Sequence, residues 1–146
     1  MTTDALVQQA AARINARAFE VALALCGRAL EEDPRSIAAL INRGSALLGL
    51  GDPAQARRSF NRAINEDPTI ASAWDGLGKA QYELLQLDKA AKSFRTATNL
   101  AEDPALSRYT RGLALLLAGS VLCWRSRVRS GECRVRPRGT DRRQMP

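Results

Sequence analysis

The residues that first suggest chemistry in this chain are its clustered carboxylates, its arginines and three cysteines, and its 146 residues include no histidine. Histidine is the commonest general base, the usual activator of a nucleophile and the commonest metal ligand, so its absence closes three routes at once. The carboxylates gather at Glu31-Glu32-Asp33, Glu66-Asp67 and Glu102-Asp103. Paired acids suit general acid–base work or a metal edge, but each of these clusters runs straight into proline, where a helix stops, and a solvated helix end is the expectation. The cysteines Cys26, Cys123 and Cys133 are odd in number and form no CxxC pair, which fits a reducing, cytoplasmic compartment. Arg57-Arg58 and Arg62 make a basic patch on an exposed helix face; a solvated surface is the plain reading and a phosphate contact the alternative. No catalytic residue, metal ligand or cofactor is expected.

What would position these residues is a pattern with a period of 34. Ala10, Gly44, Gly78 and Gly112 share that interval, as do Ala22, Ala56 and Ala90, then Cys26, Phe60 and Phe94, then Ala29, Ala63 and Ala97. A fixed period between 20 and 50 residues marks a solenoid, in which each repeat buries its apolar face only by stacking on its neighbours. Apolar residues make up 45% of the chain but aromatics only 5%, so the bulk of the core is Ala and Leu, which favours closely packed helices.

Within each period the pattern reads as two helices. Leu6, Ala10 and Ile14 share one face of a helix over 3–16, and Phe19, Leu23, Cys26 and Leu30 one face of a second over 19–32. Asp33-Pro34 ends the pair. Ser36 is placed to cap a helix over 37–50, Gly51-Asp52-Pro53 to turn the chain, and the partner helix runs from there to about Glu66. After Asp67-Pro68 a third pair covers 71–84 and 87–101, with Gly78 allowing a close approach between its two helices. Residues 104–118 then read as the first half of a fourth pair. Cys26 stands where Phe60 and Phe94 stand in the other repeats, so a buried apolar role outweighs a reactive one.

The net charge of +7 does not belong to the repeats. Residues 1–120 hold 14 basic and 13 acidic side chains, whereas residues 121–146 hold eight Arg against Glu132 and Asp141. The N-terminus lacks the basic start and apolar run of a signal peptide, and the apolar stretch from Gly112 to Trp124 would reach only about 20 Å as a helix, short of a bilayer's ~30 Å. No membrane segment is expected.

The period of 34, Trp74-x2-Leu77-Gly78, Ala56-x3-Phe60 and Pro68 together resemble the tetratricopeptide repeat family. The resemblance implies an all-α solenoid over residues 3–119, with repeats over 3–36, 37–70 and 71–104 and a partial one over 105–119, followed by a basic, disordered tail over 120–146. Two departures stand out: Gln81 holds the place of the pattern's Tyr, with Tyr82 one residue on, and Ala10 replaces the pattern's Gly.

By the same resemblance, the first helix of each pair lines a concave groove for a peptide or helix. The groove residues carried over include Asn42, Ser45, Asp75, Lys79, Tyr82 and Tyr109, with Val7, Ala11, Ile41, Leu48 and Leu113 beside them. Asn42 and Tyr82 are the foremost candidates, an amide that donates and accepts and a broad ring with a polar tip. One family mode clamps a terminal carboxylate with cations and amides; its places here are Val7, Ala11, Asn42, Ser72 and Gly76, of which only Asn42 matches, so that mode is not expected.

The expected function is a bacterial-like, cytoplasmic protein-interaction adaptor without catalysis. Two alternatives stand beside it. The chain could be the N-terminal docking segment of a truncated or frameshifted repeat-containing glycosyltransferase or sulfotransferase, because composition changes abruptly after Gly119. It could also bind nucleic acid through the arginine-rich tail, although Trp124 is the only aromatic near those arginines. The helix over 104–118 has no patterned mate to cover Leu113, Leu116 and Leu117, so self-association through that edge is a further expectation.

Overall fold

The computed structural model of the chain describes residues 2–102, 112–117 and 119. Six α-helices follow one another: α1 (Thr3–Asn15), α2 (Phe19–Glu32), α3 (Ile37–Gly49), α4 (Pro53–Glu66), α5 (Ala71–Glu83) and α6 (Leu87–Leu100). Among the described residues no strand occurs, and residues 112–117 are helical again. Each helix packs on the next, α1 also meets α3, and α3 also meets α5, whereas α2, α4 and α6 stand further apart. The odd helices therefore form the tighter inner row, and the stack curves around it.

Local chemistry sets the ends. Thr2, Ser36 and Asp52 accept from the backbone N–H three residues on, supplying side-chain caps to α1, α3 and α4, and Pro53 opens α4 where no N–H is required. Asp33 and Asp67 accept from the N–H of Arg35 and Thr69 at 3.1 and 2.9 Å, so the two Asp-Pro stops are closed by their own carboxylates. The hydroxyl of Thr69 adds a 2.6 Å bond, and these contacts hold the Asp67 carboxyl below the usual range. Glu66 pairs with Arg35 at 2.7 Å and Glu32 accepts from Thr3, so two of the acidic clusters bind neighbouring turns.

One turn recurs three times. Arg17, Gly51 and Leu85 all have φ near +60° to +80°, the N–H of the next residue reaches back five positions, to Arg13, Leu47 and Gln81, and their own N–H reaches back three. This pairing of bonds is the Schellman ending, in which a left-handed residue satisfies the last carbonyls of a helix. Only the middle copy has glycine in that position.

The core runs between the rows. Phe60 packs with Leu47, Ala56, Leu77 and Ala80, with Trp74 and Ile41 beside them. A Cβ on Gly44 would lie 2.6 Å from the Phe60 ring, and one on Gly76 closer still; a Cβ on Gly78 would lie 2.7 Å from Phe94. The close approach expected at Gly78 is thus a ring seated on bare backbone. Cys26 is fully buried, and burial pushes its thiol up to about 11, against a smaller opposing pull from Arg43. Gln81, in the place of the pattern's Tyr, is buried and accepts a 2.7 Å bond from the hydroxyl of buried Ser93 across the α5–α6 seam.

At the C-terminal edge the expectation needs correction. Leu117 is buried and Leu113 partly so, both packed on Ala90, Ala91 and Phe94, so these two cover α6 instead of facing outward. The outward residues are Leu115 and Leu116, 65% and 69% exposed. The remainder of the predicted 104–118 helix and the 120–146 tail lie outside the described residues.

Candidate functional site

The inner row places α1, α3 and α5 side by side, with Asn42 and Ser45 on α3 and Asp75, Lys79 and Tyr82 on α5; of these five, Lys79 and Tyr82 line one cavity together, and Tyr109 lies outside the described residues. Asn42 is half-buried, and its Nδ2 donates to the backbone oxygen of Val7 at 3.1 Å. That bond ties α3 to α1 and commits one side of the amide to the scaffold. The Ser45 hydroxyl donates to Ile41 O, one turn back on its own helix, at 3.1 Å. Asp75 and Lys79 are one turn apart on α5 and form an ion pair at 2.6 Å. Asp75 is 6% exposed and its Oδ1 is buried without a hydrogen-bond partner, a costly arrangement for a carboxylate.

Further along the same face a cavity of about 390 Å³ is lined by Leu48, Lys79, Tyr82, Glu83, Phe94 and Leu113. Leu48, Phe94 and Leu113 supply apolar walls, while Lys79, Glu83 and the half-exposed Tyr82 supply donors and acceptors. An apolar side chain of a partner can bury itself there while its backbone meets the polar groups, the usual division of labour in a binding pocket. Glu83 and Phe94 were not among the residues expected to line the groove. Glu83 follows Lys79 by four residues on α5, a spacing that places both on one helix face. Phe94 was read as core, and at 1% exposure it is core that also forms part of the pocket wall.

The five places that correspond to a carboxylate clamp hold no cation. At the five corresponding places Asn42 is already bonded to Val7, Ser72 is exposed and Gly76 is buried against Phe60. Lys79, the cation on this face of α5, is held by Asp75. Among the described residues no group of three or more His, Cys, Asp or Glu could hold a metal ion, and no helix is long and apolar enough to cross a membrane.

Residues 13–81 match the family model of the tetratricopeptide repeat. No curated protein matches the chain. Among solved structures, the first such domain of Spaghetti (RPAP3), bound to the HSP90 peptide SRMEEVD, superposes with a TM-score of 0.70 at 20% identity over 80% of this chain and 94% of its own. PcrH, in complex with the chaperone-binding region of PopD, gives 0.75 at 18% identity over 80% and 91%. SycD, a type III secretion chaperone of Yersinia enterocolitica, in complex with a peptide of the translocator YopD, gives 0.71 at 15% identity over 82% and 92%. The matched repeats, the 34-residue period and the paired-helix stack together make residues 13–81 a run of tetratricopeptide repeats.

Proposed function

We propose that the chain is a protein-interaction adaptor that holds a peptide or an amphipathic helix in the concave face of α1, α3 and α5. The observation that carries this reading is the 390 Å³ cavity on that face, with apolar walls and a rim of Lys79, Glu83 and Tyr82. The proposal extends the site to Asn42 and Ser45 on α3, to Asp75, which holds Lys79 from beneath, and to Tyr109. The solved structures with bound peptides support this mode in general terms. Their particular peptides are not carried over. An acidic C-terminus of the HSP90 kind needs cations, and Lys79 is spent on Asp75. A partner with an apolar anchor fits the cavity better, and a rigid helical row presents its groups with little ordering cost on binding.

Buried Cys26 accords with the reducing, cytoplasmic setting that belongs to this proposal. No observation among the described residues favours the transferase-docking or nucleic-acid alternatives, both of which rest on the region after Gly119.

The test is selection of peptides from a displayed random library against the full chain, then titration of a selected peptide by fluorescence anisotropy. Tyr82→Ala should weaken binding roughly tenfold or more, as truncating an anchoring tyrosine does, and Leu48→Lys should abolish it, with helicity unchanged by circular dichroism. Tyr82 is a cleaner probe than Asn42, whose loss would also cut the bond to Val7. Affinity indifferent to both substitutions would put the binding surface elsewhere.

A further inference from the structure

The basic sequence patch divides in two when the chain folds. Arg57 turns toward Gln86 of the α5–α6 turn, donating to its Oε1 at 3.4 Å. Arg58 and Arg62 instead join Gln55 and Ser59, and these four, at i, i+3, i+4 and i+7 of α4, form one stripe along the helix. Arg43 of α3 closes the other side. Between them lies a cavity of about 190 Å³ that shares no lining residue with the groove pocket.

Every side chain lining this cavity carries an N–H or O–H donor, three of them are guanidiniums, and none is a carboxylate. Neighbouring acids are already engaged. Asp52, at the start of α4, takes both the backbone N–H and the amide of Gln55, and Glu66, at its end, takes Arg35. Between Asp52 and Glu66, α4 has no acidic residue, and α3 has none at all. Arg62 is steadied by a 3.3 Å bond to Pro34 O. Ser59 is 4% exposed and lines the cavity, and among the described residues its hydroxyl has no hydrogen-bond partner. Three gathered guanidiniums repel one another, and one tetrahedral anion would neutralise that repulsion while accepting a bond from the Ser59 hydroxyl.

We propose that the cavity between α3 and α4 is a binding site for a phosphate-class dianion, held by Arg43, Arg58 and Arg62 with the Ser59 hydroxyl donating a further bond. The dianion is either free in solution or esterified to a side chain of a partner. The volume suits one such group, and the stripe along α4 lets a chain bearing it run past. The site does not depend on the groove reading.

The experiment is a titration of the full chain at fixed ionic strength, followed by backbone amide NMR, with inorganic phosphate in one arm and a short phosphoserine peptide beside its serine twin in the other. Saturable shifts centred on Arg43, Arg58, Ser59 and Arg62 are expected. Arg58→Gln should weaken the apparent affinity roughly tenfold or more, Ser59→Ala should weaken it by less, and Arg57→Gln should leave it unchanged. Among the described residues Arg58 makes no hydrogen bond or ion pair, and its side chain is exposed, so its loss does not threaten the fold. Tighter binding of the phosphopeptide than of phosphate assigns the group to a modified partner, and equal binding assigns it to the free anion. Shifts that never saturate, that spread equally to Arg57 and Arg95, or that persist unaltered in Arg58→Gln would overturn the proposal.

Discussion

In the second repeat the ring of Phe60 lies in a slot walled by Gly44 of its own repeat and Gly76 of the next, and neither glycine could carry a Cβ without striking it. Thirty-four residues earlier the same three places hold Cys26, Ala10 and Asn42, and Cys26 and Ala10 are also fully buried. The first repeat fills its seam with a small central residue and larger walls, the second with a large centre and no walls. The difference reaches the groove, because the wall position is glycine at 76 and therefore silent, whereas at 42 it is an amide able to bond Val7 and face a ligand. In the second repeat phenylalanine at the centre goes with glycine at the far wall, and in the first repeat cysteine goes with the amide of Asn42.

The largest break in this comparison should come from emptying the two centres in turn. Phe60→Ala removes a buried ring whose walls are glycine and cannot close the gap, and about 3–5 kcal/mol of stability should be lost. Cys26→Ala removes one buried sulfur and should cost about 1 kcal/mol, on the scale of a buried methylene group. Urea unfolding of both variants measures the gap between them. Equal losses would mean that the two centres are not equivalent in packing, whatever their spacing.

Much of this was legible from type and interval. The helix bounds fell within a residue of those read from Pro34, Ser36, Gly51, Pro53 and Pro68, because proline, small polar caps and glycine act through backbone geometry that neighbours cannot alter. Other features were hidden for stated reasons. Asn42 was read as facing a ligand, but its bond to Val7 depends on how closely α1 and α3 approach, which no local pattern records. The Asp75–Lys79 pair was visible as an i,i+4 spacing, yet the burial of Asp75 was not. Arg43 joins Arg58 and Arg62 across a helix–helix seam, and nothing in the period of 34 brings it there. Leu113 and Leu117 were taken as an uncovered edge because a missing mate was assumed to leave the inner face bare; that face rests on α6.

A middle-sized effect tests whether walls and centre are coupled. Cys26→Phe places a ring between Ala10 and Asn42, where the second repeat has glycines, and overpacking of this kind costs about 1–3 kcal/mol. Ala10→Gly in the same chain should return part of that loss, although on its own it is destabilising within a helix. The double-mutant cycle should therefore show a favourable coupling of about 0.5–3 kcal/mol. Additive behaviour would separate the two positions. The same cycle sharpens the link to the groove: with the ring in place Asn42 must yield, so the Val7 amide and its neighbours should shift in NMR spectra, and recover less than stability does when Ala10 is cut back, because Asn42 remains.

The smallest effect concerns the turns that join the two helices of each repeat, where the repeats again differ in one residue. Gly51 adopts the left-handed conformation without strain, but Arg17 and Leu85 hold φ of 58° and 59° with a side chain attached. An L-residue pays roughly 1–2 kcal/mol for that region. Leu85 is 82% exposed, so its side chain returns little packing for the strain. Leu85→Gly should therefore raise stability by about 0.5–1 kcal/mol, the relief of strain being set against the greater freedom glycine gives the unfolded chain. Arg17→Gly should gain less, because the Arg17 guanidinium lies 6.0 Å from the Phe19 ring centroid and that attraction would be lost. Chemical denaturation of the two variants beside the parent decides the order. A loss in Leu85→Gly would mean that Leu85 makes a contact in the folded or unfolded chain that its exposure conceals, and the third turn would then differ from the second in more than the identity of one residue.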